Sequence, residues 1–178
     1  MEKRNLTLLT DLYELTMMNG YYLKGKTDEI AVFDVFFRRK ELITYSIAAG
    51  LEQAVDYILG LSFGEEEIAY LRGLNLFDEG FLGYLKNLKF TGDVYSVPEG
   101  TMVFPGEPIL TVKAPVIEAQ LVETAILNII NHQTLIATKS AKVCNAAKGD
   151  NVMEFGLRRA QGPDAGIDGA RAAMIGGC

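Results

Sequence analysis

The sequence predicts an α/β protein: a mixed α+β N-terminal domain followed by the start of an α/β barrel. Three observations lead to this prediction. Residues 5–88 repeat apolar side chains mainly at helical spacing, and residues 90–115 break into short strands separated by turn signals. Residues 116–178 then run in the order helix, strand, loop, helix. We therefore place a domain boundary after residue 115, so that residues 1–115 form the N-terminal domain.

The first stretch is predicted to be mostly helical. Leucines and methionines between positions 8 and 18 recur at helical spacing, and Asp11 with Glu14 three positions later matches a capping box. Further elements follow along the chain. They are a β-branched and aromatic strand over 30–37, an amphipathic helix over 48–61, a helix opened by Ser62 and Glu65, and a helix capped by Asp78 that runs to Leu88.

Residues 90–115 are predicted to form a compact β module. The pairs Glu99-Gly100 and Pro105-Gly106 are turn signals between short apolar runs. The pattern resembles the hammerhead, or barrel-sandwich, element of biotinyl and lipoyl carrier domains. Those carriers present a lysine on an exposed hairpin, whereas Lys113 stands at a strand end, so an ordinary solvated lysine is favoured.

The third stretch is predicted to open a barrel without closing it. A long helix with an apolar stripe covers 118–137, and helical sequence continues over 141–147 to a glycine at 149. A short strand over 151–155, a loop and a helix over 167–175 follow. Because one strand cannot close a barrel, we expect a chain that stops before the barrel is complete.

Composition excludes several classes of protein. The formal charge of −6 argues against a general nucleic-acid-binding face, which has to be basic. No apolar run approaches the roughly 20 residues that span a bilayer, and the charged start does not match a signal peptide. A cytoplasmic location is therefore expected. Anions are expected to bind only where basic residues cluster locally.

The strongest local signal is the loop over residues 154–164, which places Arg158 and Arg159 among glycines between a predicted strand and helix. Guanidinium groups bind carboxylates and phosphates through paired hydrogen bonds, and glycines let an anion approach the backbone. From spacing alone, a surface loop whose arginines pair with Glu154 and Asp164 is an equal alternative.

Three other positions have both a functional and a structural interpretation. Asp11 and Tyr13 are candidates for ligand binding, although from composition alone a helix cap and a tyrosine that covers the core are the favoured explanations. Arg38 follows the first strand as a solvated basic tip or a phosphate contact. His132, the single histidine, is better explained as a satisfied, partly buried residue. No Cys or His set has metal-ligand spacing.

Three motifs together resemble the nicotinate phosphoribosyltransferase family. They are residues 10–17 (Thr-Asp-Leu-Tyr-Glu-Leu-Thr-Met), residues 118–139, and residues 154–164 (Glu-Phe-Gly-Leu-Arg-Arg-Ala-Gln-Gly-Pro-Asp). The resemblance implies a type II phosphoribosyltransferase with a hammerhead-containing N-terminal domain and an incomplete α/β barrel. It also implies a homodimer whose active sites lie at the subunit interface and act on small-molecule substrates.

The resemblance also implies roles for individual residues. Tyr13 stacks on the pyridine ring from across the dimer, with Asp11 beside it, and Phe155 forms the other face of the clamp. Arg158 contacts anionic groups of the substrates. Arg38 and Arg159 are expected at phosphates, with Gln161 as a weaker support of the loop.

The implied activity is formation of nicotinate mononucleotide from nicotinate and phosphoribosyl diphosphate, in NAD salvage, with Mg²⁺ and coupled ATP hydrolysis. The family's phosphorylated histidine belongs to a later motif that His132 does not match. The chain by itself is therefore expected to be inactive. Alternatives left open are a nicotinamide- or quinolinate-using relative and a non-catalytic dimerisation or binding module.

Overall fold

The computed structural model describes residues 4–39 and 44–178. Within these ranges the chain forms helices and short strands, and a 3₁₀ turn at Leu157–Arg159 lies between the last two helices. The helices are α1 (Leu12–Leu23), α2 (Leu51–Leu59), α3 (Glu65–Gly73), α4 (Glu79–Lys86), α5 (Val116–Ala146) and α6 (Pro163–Ile175). The strands are β1 (Ile30–Val35), β2 (Ser46–Ile47), β3 (Asp93–Ser96), β4 (Met102–Val103) and β5 (Leu110–Pro115). The mixed α and β character that the sequence predicts is confirmed.

Two small sheets contain the strands. One has the order β1-β5-β3, and in the other β2 pairs antiparallel with β4 so that Ser46 faces Val103. Along β5, buried Leu110, Val112 and Ala114 alternate with less buried residues, which is the period-two pattern of a strand that covers a core. The predicted β-rich character of residues 90–115 is thus confirmed.

The chain divides into two compact units that interleave along the sequence. The first comprises Met1–Phe33, Val55–Val94 and Val112–Ile126, and the second comprises Asp34–Ala54, Tyr95–Thr111 and Leu127–Cys178. The domain boundary that we place after residue 115 stays a prediction.

Each unit has its own apolar core. In the first, Met18 of α1, Phe81 of α4 and Leu121 of α5 are fully buried, and Tyr22 lies with its ring centroid 5.9 Å from that of Phe81. In the second, Ile47 and Ala49 pack with Ala137 of α5 and Ala172 of α6. Small residues at these helix positions allow close backbone approach.

Helix starts follow the predicted chemistry only in part. Asp78 caps α4 as predicted, since its Oδ1 accepts hydrogen bonds from the N–H groups of Gly80 and Phe81. The capping box predicted at Asp11 is wrong, because Asp11 stands at the N-cap but its carboxylate makes no capping bond. The capping box predicted at Ser62 is also wrong. Helix α3 begins at Glu65 and its N-cap residue is Gly64, whose N–H donates to the Glu67 carboxylate.

The strand predicted over 151–155 is wrong. Residues 151–156 have no regular structure and lead directly into the 3₁₀ turn. A strand is stable only when its N–H and C=O groups pair with a neighbour, and no described residue pairs with this segment. The helical sequence before it forms one continuous helix, α5. No helix in the described ranges is both long and apolar enough to cross a membrane.

Candidate substrate-binding site

The N-terminus of α1, in the first unit, carries two of the predicted site residues. Asp11 ends an extended segment, and its Oδ2 accepts a hydrogen bond from the Thr124 hydroxyl of α5 at 3.1 Å. Tyr13 is 53% exposed, with its hydroxyl 3.4 Å from Glu14 Oε1. The structure therefore brings Asp11 and Tyr13 together at the end of one helix, with the tyrosine ring accessible.

Acidic side chains surround the Tyr13 hydroxyl. Glu14 is fully buried, and the Thr10 hydroxyl donates to its Oε2. The charge of Glu14 raises the pKa of Tyr13, and burial, Glu123 and Asp11 add to the effect. Burial, followed by the charges of Glu14 and Asp11, raises the pKa of Glu123. This end of α1 therefore favours a positively charged group over an anion.

Phe155, Arg158 and Arg159 lie in the second unit, in the segment between α5 and α6. The Phe155 ring is 72% exposed, and both arginines are exposed on the 3₁₀ turn. Within the part of the chain that the structure describes, neither guanidinium has an ion-pair partner. The Glu154 carboxylate accepts instead from the Gly156 N–H. Both guanidinium groups are therefore accessible to a ligand, and their role in anion binding stays a prediction.

Glycines determine the shape of this loop. Gly162 has a φ of +103°, a conformation that side chains with a Cβ rarely adopt, and Pro163 follows as the first residue of α6. Gly166 is buried, and a Cβ built on it would lie 2.5 Å from Leu157 Cδ1. The 3₁₀ turn therefore packs onto α6 through Leu157 at Gly166, where a Cβ would displace the end of the Leu157 side chain.

The structure also shows the surroundings of Arg38 and His132, two further positions that the sequence analysis considers. Arg38 is exposed just beyond β1, and the preceding carbonyl of Phe37 accepts a hydrogen bond from the Gly106 N–H at 3.1 Å. His132 Nε2 lies 3.3 Å from the Ala165 carbonyl oxygen in α6. This contact fits the interpretation of His132 as a satisfied, partly buried residue.

A polar network around Arg171 was missed by the sequence analysis. The five N–H donors of its guanidinium make five hydrogen bonds to three acceptor side chains, at 2.5 to 3.1 Å. These acceptors are Glu52, Glu99 and the fully buried Gln133. Glu99 Oε1 also accepts from the N–H groups of Gly50 and Leu51 at the start of α2. The partners are 38 to 119 residues away, so no local motif reports this network.

Replacing Glu99 by Gln is expected to destabilise the chain by about 2 kcal/mol at pH 7, because Arg171 and two N-terminal N–H groups of α2 lose an anionic acceptor. The Arg171 hydrogen bond, helped by the Gly50 and Leu51 N–H groups, lowers the pKa of Glu99 in the folded chain. Its stabilising effect is therefore complete above the ordinary carboxyl pKa of 4.5 and is lost as pH falls through the lower folded value.

Urea unfolding at pH 7 and at pH 3 measures this difference, which should shrink on the acid side. Glu79→Gln is the matched control, because Glu79 pairs with Arg72 on the exposed surface and should lose less stability. Equal losses for the two variants, or a Glu99→Gln loss that does not vary with pH, would contradict the expectation.

The described residues do not form a metal centre. In the ranges 4–39 and 44–178, no group of three or more His, Cys, Asp or Glu side chains is placed to hold a metal ion. The Mg²⁺ ion that the family resemblance implies stays a prediction, because proteins often hold magnesium with one or two carboxylates together with substrate phosphates. The candidate groups that this chain carries are exposed guanidinium groups and aromatic rings.

Comparison with known proteins shows the family of this chain. The family model that describes the nicotinate phosphoribosyltransferase N-terminal domain matches residues 8–131. Nicotinate phosphoribosyltransferases of Mycobacterium tuberculosis and Bacillus subtilis are each 46% identical to the chain, over 96% and 97% of its length. The chain belongs to the nicotinate phosphoribosyltransferase family. It spans 37% and 36% of the length of these two relatives.

Solved structures show the same fold. Human nicotinic acid phosphoribosyltransferase superposes with a TM-score of 0.86 at 34% identity, covering 95% of this chain and 35% of the human chain. A nicotinate-nucleotide pyrophosphorylase from Pyrococcus furiosus has a TM-score of 0.73 at 24% identity, covering 98% of this chain and 37% of its own. The second likeness concerns the fold alone.

Proposed function

We propose that the whole protein is a nicotinate phosphoribosyltransferase, which forms nicotinate mononucleotide and diphosphate from nicotinate and phosphoribosyl diphosphate. Membership of the family supports the proposal, since relatives that bear this name are 46% identical over nearly the whole chain. In the reaction, the pyridine nitrogen forms a bond to ribose C1 while the bond from C1 to the diphosphate oxygen breaks. Positioning and charge stabilisation are the protein's main contributions to such a displacement.

Arg158 and Arg159 supply charge stabilisation in this proposal. Their guanidinium groups are exposed and have no ion-pair partner within the described residues, so they bind an incoming anion without first breaking a salt bridge. Diphosphate gains negative charge as it leaves C1, and a preorganised cation is most effective where charge develops. Arg38 is proposed as a further phosphate contact.

Tyr13 and Phe155 supply the pyridine-binding surfaces in this proposal. Both rings are exposed, so each offers an open face for stacking. The acidic surroundings of Tyr13 suit a ring that becomes a pyridinium cation in the product. Asp11, whose carboxylate contacts Thr124, is proposed beside the ring as part of the same negative environment.

Several finer features belong to the same proposal. We place the hammerhead element in residues 90–115 and the opening of an incomplete barrel in α5 and α6. The whole protein is proposed to be a cytoplasmic homodimer with active sites at the subunit interface and coupled ATP hydrolysis. Mg²⁺ is proposed for the whole protein, where it would neutralise charge on the phosphate groups of the substrate.

The test is product formation by the purified whole protein. We expect nicotinate mononucleotide from nicotinate and phosphoribosyl diphosphate, detected by liquid chromatography, with a higher yield when ATP is added. Nicotinamide and quinolinate serve as parallel substrates. Turnover of either one without turnover of nicotinate would replace the substrate assignment, and no turnover of all three would favour a non-catalytic module.

Replacing Tyr13 by Ala is expected to raise the KM for nicotinate by about 3- to 10-fold, because one aromatic face is worth roughly 0.5–1.5 kcal/mol. Tyr13→Phe keeps the ring and should stay close to the parent value. Tyr70, 61% exposed on α3, provides the control substitution to Ala. Equal KM values for the Tyr13 and Tyr70 alanine variants would remove Tyr13 from the site.

A further inference from the structure

The 3₁₀ turn that carries Arg158 has few attachments of its own. Residues 151–156 lack regular structure, and the side chains of Leu157, Arg158 and Arg159 are all exposed. Its packing partner is α6, which meets Leu157 at Gly166. The position of the Arg158 guanidinium therefore depends on where α6 is held.

Arg171 holds α6 in place five residues beyond Gly166. Its guanidinium lies 2.5 Å from Glu99 Oε2 and 2.7 Å from Glu52 Oε2, and a further bond at 3.1 Å reaches Gln133 of α5. Gln133 is fully buried, and its Nε2 donates to Gln53 Oε1 at 2.9 Å. One side chain thus ties α6 to α5 and to the start of α2.

The charge balance of this network shows why a lysine is a poor replacement. Arg171 carries one positive charge against the carboxylates of Glu52 and Glu99, and every N–H of its planar fork has an acceptor. A Lys ammonium has three donors and no fork, so it cannot make the paired bonds to Glu99 while also reaching Gln133. Such a variant keeps the charge and loses the geometry.

We infer that Arg171 is a positioning residue of the anion-binding loop, acting on Arg158 through α6 and the contact between Gly166 and Leu157. This inference rests on the proposed function, since it assumes that the loop binds diphosphate groups. It adds a specific dependence: affinity for diphosphate should follow the geometry of a partly buried network that acts on Arg158 indirectly.

The experiment measures binding of inorganic diphosphate to the whole protein by titration calorimetry, with folding of each variant checked by its melting temperature. Arg171→Lys is expected to weaken binding by about 3- to 10-fold, and Arg158→Ala by about 10-fold or more. In the double variant, Arg171→Lys should cause no additional loss beyond twofold, because its effect passes through Arg158. Hydrogen exchange in residues 155–162 should also rise in Arg171→Lys.

Two further variants complete the design. Arg72→Lys alters a bidentate surface pair with Glu79 and should leave diphosphate affinity unchanged. Glu52→Gln removes one partly exposed acceptor and gives a milder test, with a loss of about twofold, if Arg171→Lys does not fold.

The outcomes separate the two claims. If the parent protein does not bind diphosphate, the proposed function of the loop fails. If the parent binds but Arg171→Lys and Glu52→Gln both bind equally well, the inference about Arg171 is wrong. It is also wrong if the Arg171→Lys loss persists at full size in the Arg158→Ala background, which is the behaviour of a merely structural residue.

Discussion

Replacing Arg158 by Ala is expected to lower kcat/KM for phosphoribosyl diphosphate in the whole protein by about 30- to 1,000-fold. This corresponds to a loss of about 2–4 kcal/mol of transition-state stabilisation, the usual effect of removing one preorganised charged donor. The guanidinium has no ion-pair partner within the described residues, so its removal breaks no structural salt bridge. Steady-state kinetics with varied phosphoribosyl diphosphate measures the change.

Three comparisons make this result specific. Arg159→Ala should cause a smaller loss, and Arg72→Ala should cause none, because Arg72 lies in an exposed pair with Glu79. Melting temperature should change little for Arg158→Ala, whose side chain is exposed on the 3₁₀ turn. A rate within twofold of the parent would return Arg158 to the surface-loop interpretation.

Replacing Gly92 by Ala is expected to destabilise the chain by about 3 kcal/mol. A Cβ at this position would lie 2.3 Å from Ala114 Cβ and 2.6 Å from the Lys113 carbonyl oxygen. Neither atom belongs to a flexible side chain, so the backbone before β3 has to move away from β5. Overpacking of this kind costs about 1–3 kcal/mol and occasionally more. Thermal unfolding should show a melting temperature lower by about 6–12 °C.

Gly83 provides the matched control in the same unit. It lies in α4, and a Cβ built on it meets no atom within 4 Å. Gly83→Ala should therefore raise stability by up to about 1 kcal/mol through helix propensity. The two alanine substitutions are expected to act in opposite directions. A Gly92→Ala variant as stable as Gly83→Ala would show that the space beside β5 is larger than the structure indicates.

Local chemistry made part of the fold predictable. Asp78 could be recognised as a cap because a carboxylate before a helix satisfies free N–H groups nearby in sequence. The alternation in β5 and the turn signals around it likewise depend on neighbouring residues. These features were predictable because the sequence pattern that indicates each of them lies within a few residues.

The features that the sequence did not predict depend on residues that are distant along the chain. Asp11 looked like a cap, yet its carboxylate contacts Thr124, 113 residues away. The segment 151–155 has strand composition, but a strand also needs a neighbour that the described residues do not provide. Arg171 was not singled out from the sequence, because its partners come from distant parts of the chain. The identity of such partners is set by tertiary structure.

The candidate site also contains residues that local sequence indicates and residues that only the folded structure identifies. Arg158 and Arg159 were singled out because two arginines among glycines form a recognisable local pattern, and Phe155 was added by the family resemblance; the roles of all three stay predictions. Glu14 was named only as part of a capping box, since only the structure shows that its buried carboxylate lies beside the Tyr13 hydroxyl. Sequence patterns indicated the candidate binding residues. Packing in the folded chain showed which side chains surround them.

The interleaving of the two units has a consequence for synthesis on the ribosome. Neither unit is a continuous piece of chain, since the first needs Val112–Ile126 and the second needs Leu127–Cys178. Apolar segments that are synthesised early therefore stay exposed until the segments that pack against them leave the ribosome. Folding is expected to be delayed until most of the chain has left the exit tunnel, and nascent chains arrested before residue 112 should be protease-sensitive and bind chaperones.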